Sequence, residues 1–346
     1  MKIKNAAIIE SPFQLLGLIE AISYFKIDTI VVIVKYTDNI KNNTQIDWLL
    51  KKYQIKNAKK LTKFKKGIVS DFMLLSLIFF WKIRNIKFDF LFAGDAENSI
   101  MRVFISNLNS SKKYFLDDGS QTVYIQEKII KQKRPLFVDP PTLLRTKLRR
   151  LLYKLFQLKY PENTFINMFT CFKLNAVEKQ DIQLHTFNFL TKSKGERQNN
   201  SLQKNVYFIG GNLSEVNILS EEHELLLLSK ISEYYTLLNL NIIYCCHRRE
   251  SESKLEKIKS KFKNIKLYTP EYPLEIEFII KNISIEHIGS FFSTALYTTT
   301  LIHKPKSSNM FKIPTHFLNP TEVETIESVE LGYSENKYIS LQKDYL

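Results

Sequence analysis

Two short segments of the sequence carry residue types suited to proton transfer and phosphate binding. Asp117-Asp118-Gly119 follows the apolar run 113–116, and His247-Arg248-Arg249-Glu250 follows the run 241–244. A carboxylate can remove a proton from an attacking hydroxyl, whereas imidazole and guanidinium groups can donate hydrogen bonds to a phosphate. The sequence therefore predicts a general base in the first half of the chain and a phosphate site in the second.

Further polar residues of the second half lie just past the carboxyl ends of the runs that predict strands. In open parallel sheets, ligands bind at that edge, because free N–H groups of helix N-termini meet there. Glycines let a ligand approach the backbone closely, and hydroxyl groups at a helix start hold phosphate oxygens. The candidate phosphate ligands are Gly210, Gly211, Arg248, Ser290, Ser293 and Thr294.

Each of these features also has a simpler structural interpretation. The glycine pair 210–211 can be an ordinary turn, Ser293 can cap a helix, and Asp118-Gly119 can close a strand. His247 can be a surface side chain. No metal site is predicted, because metal-ligand spacing is missing among the histidines at 185, 223, 287, 303 and 316.

Apolar runs that predict buried strands alternate with amphipathic stretches of helix length, which is typical of parallel sheets covered by helices. In the first half we expect strands at 4–9, 29–35, 88–93 and 113–116, and helices at 12–25, 44–54, 69–84 and 96–108. Ser11 is the expected N-cap of the first helix, with Pro12 at its first position and Gln14 completing a capping box.

The same alternation restarts after a polar, charged segment at 191–204, whose composition is typical of an interdomain linker. Beyond it we expect strands at 205–209, 241–244, 265–268 and 284–288, and helices at 220–236, 251–263, 274–281 and 293–302. The sequence thus predicts one domain over residues 1–190 and a second over residues 205–346.

The composition is that of a folded protein with a basic surface. Of the 346 residues, 44% are hydrophobic and 25% are charged, and the formal net charge is +15. This charge favours phosphates, anionic lipids or acidic saccharides as partners, although abundant Lys, Ile and Asn are also typical of an AT-rich genome.

A cytoplasmic location is expected from three features of the sequence. Residues 1–10 lack a signal-peptide core, and the apolar run 72–81 is too short to span a membrane. The three cysteines fit a reducing compartment.

One predicted helix has the composition of a membrane-surface or partner-binding element. The segment 142–158 places leucine and phenylalanine on one face and arginine and lysine on the other, with Lys147, Arg149 and Arg150 among its charges. Such a helix binds an anionic inner membrane or packs against a second copy of the chain. The sequence leaves both alternatives open.

Four segments, in their order along the chain, resemble the bacterial sialyltransferases, especially the lipooligosaccharide sialyltransferases of glycosyltransferase family 52. They are the opening IIESPFQLLGLIEAI at 8–22, the Asp117-Asp118-Gly119 segment, the His247 segment and GSFFSTAL at 289–296. The sequence departs from many of these enzymes at Arg248, where they carry proline. Order and spacing agree over most of the chain.

This resemblance implies a GT-B architecture, in which two Rossmann-like α/β domains with parallel sheets face each other across a cleft and CMP binds mainly to the C-terminal domain. It implies inverting transfer of sialic acid from CMP-sialic acid without a metal or other cofactor. The aspartate segment would supply the base, with a weak preference for Asp117 over Asp118. His247 would contact or protonate the leaving phosphate, which Ser293 and Thr294 would bind.

The resemblance and the predicted strand ends imply further substrate contacts. Glu277 resembles the acidic residue that holds the CMP ribose in related enzymes. Glu215 is a third candidate acid, and we expect it to contact substrate together with Ser11 and Gln14.

The leading hypothesis is transfer of sialic acid to a terminal galactose of a bacterial surface glycan, such as lipooligosaccharide, O-antigen or capsule. The alternatives are a different CMP-activated nonulosonic acid as donor, or a polymerising transfer onto sialic acid itself. A non-enzymatic basic protein that binds nucleic acid or membrane is a weaker alternative, because the aromatic residues follow core periodicity and no RNA-binding signature is present. We therefore expect a nucleotide-sugar donor and a glycan acceptor as partners, and no nucleic acid.

Overall fold

Two parallel sheets organise the chain, one in each of two units, Met1–His185 and Thr186–Leu346. The computed structural model describes residues 4–55, 58–61, 68–134, 144–159, 166–192 and 204–345. Residues 193–203 of the expected linker and residues 142–143 of the expected basic helix lie outside the described residues.

The first unit contains a seven-stranded sheet. Its strands are β1 (Asn5–Ile9), β2 (Val31–Lys35), β3 (Ala58–Leu61), β4 (Lys87–Ala93), β5 (Asn109–Leu116), β6 (Met168–Thr170) and β7 (Ile182–Leu184). They pair in parallel in the order β3-β2-β1-β4-β5-β6-β7. Every residue of β1 is buried, as expected for a central strand that helices cover on both faces. The strand order reverses between β1 and β4.

Helices connect these strands. They are α1 (Pro12–Tyr24), α2 (Ile40–Lys52), α3 (Ile68–Ile83), α4 (Ser99–Asn107), α5 (Ser120–Tyr124), which continues as a π-helical turn (Ile125–Ile130), and α6 (Leu144–Leu155). On α3, Leu74, Leu75, Ile78 and Trp81 recur at helical spacing and pack into the core of this unit.

The second unit contains a six-stranded sheet. Its strands are β8 (Asn205–Ile209), β9 (Asn241–Cys245), β10 (Ile265–Tyr268), β11 (His287–Ser290), β12 (Ser307–Phe311) and β13 (Ser340–Gln342). They pair in parallel in the order β10-β9-β8-β11-β12-β13, so the strand order reverses between β8 and β11. Both sheets share the strand order of Rossmann folds around this reversal.

The helices of the second unit follow the same alternation. They are α7 (Asn188–Lys192), α8 (Glu221–Leu237), α9 (Glu252–Lys261), α10 (Leu274–Ile280), α11 (Thr294–His303) and α12 (Val323–Ser334), with a short 3₁₀ helix (Thr315–Phe317) before α12. The glutamates in the first turn of α8 complement the positive end of its dipole, and Ser220 caps it by accepting from the His223 N–H.

Several predicted strands have different bounds in the structure; the strand expected at 113–116, for example, is the end of β5, which begins at Asn109. The expected strand at 284–288 is β11, which begins only at His287 and continues to Ser290. Pairing sets these ends, because His287 lies opposite Val206 of β8 and Ser290 opposite Ile209. Gly289 and Ser290 are therefore strand residues, not part of the loop beyond the carboxyl end.

Candidate active site

Acidic side chains gather at the carboxyl edge of the first sheet, where the strand order reverses. Glu10 follows β1 directly, Asp95 and Glu97 follow β4, and Asp118 lies two residues beyond β5. Ligands of doubly wound sheets bind at such a switch point. Only the acids after β5 were predicted as site residues from the sequence, although Asp95 also lies just past a predicted strand and the same rule applies to it.

Asp117 is buried against β6 and is already hydrogen-bonded. Its Oδ1 accepts from Thr170 Oγ1 at 2.6 Å and its Oδ2 from the Cys171 N–H at 2.7 Å. His185 Nε2 lies 3.8 Å from Oδ2, and both residues are nearly inaccessible to solvent. Because both carboxylate oxygens are occupied inside the protein, this geometry argues against the weak preference for Asp117 as the base.

Asp118 is half-buried and is held by Gln14. Gln14 Nε2 donates to Asp118 Oδ1 at 2.7 Å, and Gln14 Oε1 accepts from the Glu10 N–H at 2.8 Å. Gly94 makes room for this amide, since a Cβ at position 94 would lie 2.0 Å from Gln14 Oε1. Gln14 therefore connects the ends of β1, β4 and β5.

The surroundings shift the pKa of Asp118 strongly. Burial raises this pKa to about 7, and the charge of Asp95 adds to the rise. Glu10 and Glu97 contribute in the same direction, whereas the hydrogen bond from Gln14 lowers the pKa. A carboxyl group whose pKa lies near neutrality is suited to general-base catalysis.

The expected substrate contacts at the start of α1 are used within the protein. Ser11 is the N-cap, as predicted, and its Oγ accepts from the Gln14 N–H at 3.2 Å. The Gln14 side chain bonds the Glu10 N–H instead of completing a capping box with Ser11, and Gln14 is 1% exposed. Gln14 is therefore a positioning residue for Asp118 and not a surface that substrate can touch.

The second sheet brings the remaining candidates to one edge. The loops after β9, β8 and β11, which are neighbouring strands, carry His247, Gly211 and Ser293 respectively. The reversal between β8 and β11 makes this edge the switch point of the second unit. This juxtaposition is what the sequence-based rule about carboxyl ends predicts.

His247 is neutral near pH 7. Burial lowers its pKa to about 4, and the positive charges of Arg248, Arg249 and Lys254 act in the same direction. The Arg249 N–H donates to His247 Nδ1 at 3.3 Å, which assigns the ring proton to Nε2. The imidazole can therefore donate a hydrogen bond from Nε2 to an anion.

Cationic and helix-terminal groups accompany His247. Arg248 and Arg249 are exposed on the turn after β9. Ser293 caps α11 by accepting from the Ala295 N–H, and Thr294 Oγ1 lies 3.1 Å from Tyr333 Oη. The first turn of α11 thus offers backbone N–H groups and a positive dipole end, as phosphate binding requires.

Two of the expected phosphate ligands are occupied with packing. A Cβ at Gly210 would lie 2.5 Å from Tyr244 Oη, so this glycine lets the tyrosine pack against the backbone. Ser290 is 2% exposed, and its Oγ donates to the Ile209 carbonyl at 2.8 Å. Because neither reaches the loop surface, the phosphate contacts expected of Gly210 and Ser290 are not supported, whereas Gly211 has room beside it.

Both carboxylate oxygens of Glu277 are likewise engaged in contacts within the protein. Its Oε1 accepts from the Tyr268 hydroxyl and pairs with Lys281 Nζ at 2.8 Å, and its Oε2 accepts from the Tyr272 N–H at 2.9 Å. The residue is 0% exposed. This packing argues against the ribose contact that the family resemblance implied.

A buried lysine that was not predicted from the sequence holds the loops of this edge. Lys254 Nζ donates to the Gly211 carbonyl at 2.8 Å, to Glu215 Oε2 at 3.0 Å and to Glu224 Oε1 at 2.9 Å, and lies 3.2 Å from Glu250 Oε1. Glu250 Oε2 in turn accepts from the His247 N–H. The spacing of α9 offered no signal for this role, because a lysine among charged residues is typical of a solvated helix face.

Glu215 belongs to this cluster and is a poor proton acceptor. Burial by itself raises its pKa, but hydrogen bonds from the Ser251 N–H and Lys254 outweigh that effect, so the pKa is lowered. A carboxylate so well stabilised in its ionised form is a weak base. This geometry does not support Glu215 as the third candidate acid or as a substrate contact.

Sequence comparison with known families identifies the chain. A family model described as alpha-2,8-polysialyltransferase matches residues 5–311. The chain belongs to this family. The sialyltransferase resemblance is thereby confirmed at the level of a bacterial sialyltransferase, which is a glycosyltransferase, whereas membership in glycosyltransferase family 52 stays a prediction.

Solved structures show the fold of this polysialyltransferase-family protein. The UDP-GlcNAc 2-epimerase from Methanocaldococcus jannaschii, in complex with UDP-GlcNAc and UDP, is 14% identical, with a TM-score of 0.52 over 97% of this chain and 93% of that chain. MnaA from S. aureus, in a co-structure with UDP, is 11% identical, with a TM-score of 0.54 over 97% and 88%. These similarities confirm the predicted GT-B class of two Rossmann-like domains. No curated protein matches the sequence significantly.

Among the residues of this polysialyltransferase-family protein that the structure describes, no helix combines the length and the hydrophobicity that spanning a bilayer requires. No group of three or more His, Cys, Asp or Glu side chains there is arranged to hold a metal ion.

Proposed function

We propose that this protein transfers sialic acid from CMP-sialic acid to the nonreducing end of a glycan that itself ends in sialic acid. One observation carries the proposal: each Rossmann-like unit presents one half of the required chemistry at its own switch point. Asp118, with a pKa of about 7, lies in the first unit, and a neutral His247 with two arginines and a helix N-terminus lies in the second.

Asp118 is the proposed general base. A carboxyl group with a pKa of about 7 is ionised in about half of the molecules at pH 7, and a general base is most effective when its pKa lies near the working pH. It would take the proton of the acceptor hydroxyl as the oxygen attacks the anomeric carbon. A single displacement of this kind inverts the anomeric configuration.

His247 and its neighbours are the proposed partners of the leaving CMP. The Nε2–H of a neutral imidazole would donate to the phosphate, while Arg248 and Arg249 supply positive charge. Gly211, Ser293 and Thr294, with the N–H groups of the first α11 turn, would hold the remaining phosphate oxygens. These groups can offset the charge of the leaving group, so we propose that transfer needs no metal ion.

The nucleotide part of the proposal is supported by the fold. The M. jannaschii epimerase is recorded with UDP-GlcNAc and UDP, and the S. aureus protein with UDP. A uridine nucleotide and CMP share the pyrimidine, the ribose and the phosphate. We therefore propose a pyrimidine nucleotide in the second unit of this chain.

The acceptor is proposed from the family and the charge. The matched family is named for alpha-2,8-polysialyl transfer, and the chain carries a net charge of +15. A chain of sialic acids carries one carboxylate for each sugar, so a basic surface attracts it over long distances. Terminal galactose of a surface glycan is the second candidate, because the segment at 8–22 resembles that of lipooligosaccharide sialyltransferases.

A transfer assay tests the proposal. Purified protein is incubated with CMP-sialic acid and either an α-2,8-linked sialic acid oligomer or a lactoside, with EDTA present, and CMP release and product mass are measured. We expect the sialic acid oligomer to lengthen, and lactoside transfer would favour the second candidate.

Asp118→Asn should lower kcat by about 10²–10⁴-fold, whereas Asp28→Asn, at an exposed position, should match the wild type. Absence of transfer and of donor hydrolysis with every CMP-nonulosonate would contradict the function, and loss of activity in EDTA alone would contradict metal independence.

A further inference from the structure

Two helices of the first unit expose large apolar side chains. On α3, one helical face carries Val69, Phe72, Met73, Phe80 and Ile83, which are 41–61% exposed. On α6, Leu144, Leu151 and Leu155 are 73%, 61% and 65% exposed. Contiguous exposed apolar area of this kind marks an interaction site on a soluble fold.

The two helices pack against each other, and Phe72 joins the exposed face of α3 to the end of α6. Asp71 of α3 is 0% exposed and pairs with Arg149 Nε at 2.8 Å and with Arg145 Nη2 at 3.0 Å. Phe156, directly after α6, contacts the rings of Phe72 and Phe79 of α3 at centroid distances of 5.5 Å. We call the exposed residues of both helices the α3–α6 surface.

Positive charge alternates with the leucines of this surface. Lys147 and Lys154 are exposed between Leu144, Leu151 and Leu155, at helical spacing that places all five on one face. The α6 sequence contains five Lys and Arg residues and no Asp or Glu. Near the end of α3, the exposed Arg84 lies over the Phe80 ring, 4.1 Å from its centroid.

We propose that the α3–α6 surface docks on an anionic phospholipid bilayer. Leucine and phenylalanine side chains would enter the boundary between headgroups and acyl chains, while Lys147 and Lys154 extend their ammonium groups to lipid phosphates. Each lysine near an anionic membrane strengthens such binding. The proposal is independent of the catalytic assignment.

Charge favours a membrane over a second copy of the chain. A twofold dimer through this surface would bring the same patch against itself and oppose lysines to lysines. Burying those ammonium groups against an apolar protein partner would also leave them without counter-charges. A bilayer with anionic headgroups supplies both an apolar interior and the counter-charge.

Vesicle flotation tests the proposal. The full chain is mixed with vesicles of phosphatidylcholine alone or with 30% phosphatidylglycerol, and the floating fraction is measured at low and high salt. We expect flotation with anionic vesicles only, weakened by salt. Lys147→Glu with Lys154→Glu should reduce the partition coefficient by about 30-fold or more, at about fivefold for each lysine removed. Leu151→Glu with Leu155→Glu should abolish flotation.

Matched variants distinguish binding through the α3–α6 surface from nonspecific adsorption to vesicles. Lys259→Glu with Lys261→Glu makes the same change in net charge on exposed positions of α9, and Leu237→Glu changes a leucine that is 84% exposed. These controls should float like the wild type, and thermal unfolding should show that all variants are folded. The proposal is overturned by equal flotation on neutral vesicles, by equal losses in the controls, or by a wild-type dimer that the α6 variants convert to monomer.

Discussion

Replacing Gly94 with alanine should displace the residue that positions the proposed base. The added methyl group would lie 2.0 Å from Gln14 Oε1 and 2.3 Å from its Cδ, so the amide must move. Gln14 then loses its bonds to the Glu10 N–H and to Asp118. The change does not touch Asp118 itself, which makes it a test of positioning.

The size of the effect follows from the hydrogen bond that is lost. A hydrogen bond to a charged group contributes about 1.5–3 kcal/mol, and about 1.4 kcal/mol corresponds to one pKa unit. Because the Gln14 bond favours the ionised carboxylate, its loss should raise the Asp118 pKa from about 7 by about 1 or more. The ionised fraction at pH 7 then falls from about one half to about one tenth, which is about a fivefold loss of kcat/KM.

The assay is kcat/KM for transfer from CMP-sialic acid between pH 5.5 and 9.5. In Gly94→Ala, the acid limb of the pH profile of kcat/KM should shift to higher pH, and kcat/KM should approach the wild-type value at high pH. Gln14→Leu should have the same effect. Gly17→Ala is the matched control, because a Cβ there would meet only Leu116 at 3.9 Å or more. A loss in Gly94→Ala that is equal at every pH would refute the positioning role, since it would show damage without a change in the pKa of the base.

Two further predictions concern the second unit. His247→Ala should lower kcat by about 10²-fold or more. His247→Gln, which keeps an N–H donor, should retain more activity than His247→Ala. In both variants the acid limb of the pH profile should stay in place, in agreement with a His247 pKa of about 4. Lys254→Met leaves Glu215, Glu224 and Glu250 without their shared cation, so the free energy of unfolding in urea should fall by about 3–5 kcal/mol. Lys257→Met, which removes a largely exposed pair with Glu221, should cost less than about 1 kcal/mol. Equal effects of the two lysine changes would contradict the importance of burial.

Most of the fold follows from local patterns in the sequence. The runs that became β1, β2, β4, β8 and β9 are mainly apolar, so strands that form the interior of each sheet could be predicted there. The edge strand β10 was predicted, whereas the edge strands β3, β7 and β13 were not, because these short segments carry polar residues and pairing with a neighbour determines where they form.

The positions of the candidate site residues on the two sheets could be predicted from the sequence, but the contacts of each side chain could not. Within each sheet, parallel strands bring their carboxyl ends to one edge, and this rule predicted the positions of Asp117 and Asp118 in the first sheet and of His247 and Ser293 in the second. The carboxylate of Asp117 is engaged by hydrogen bonds from Thr170 and Cys171, which lie more than fifty residues away in sequence. No local sequence pattern predicts such a contact.

The difference between the two aspartates also explains why adjacent acids can serve one fold in different ways. Asp117 accepts two short hydrogen bonds that tie β5 to the residues of β6 and so stabilises the turn that carries its neighbour. Asp118 receives a single side-chain bond, from Gln14, and is surrounded by other acids, which keeps it near the point of protonation. A general base needs both a fixed backbone and a carboxyl group that is easily protonated. Consecutive residues can meet these two needs, because the side chains of adjacent residues in an extended chain point to opposite sides.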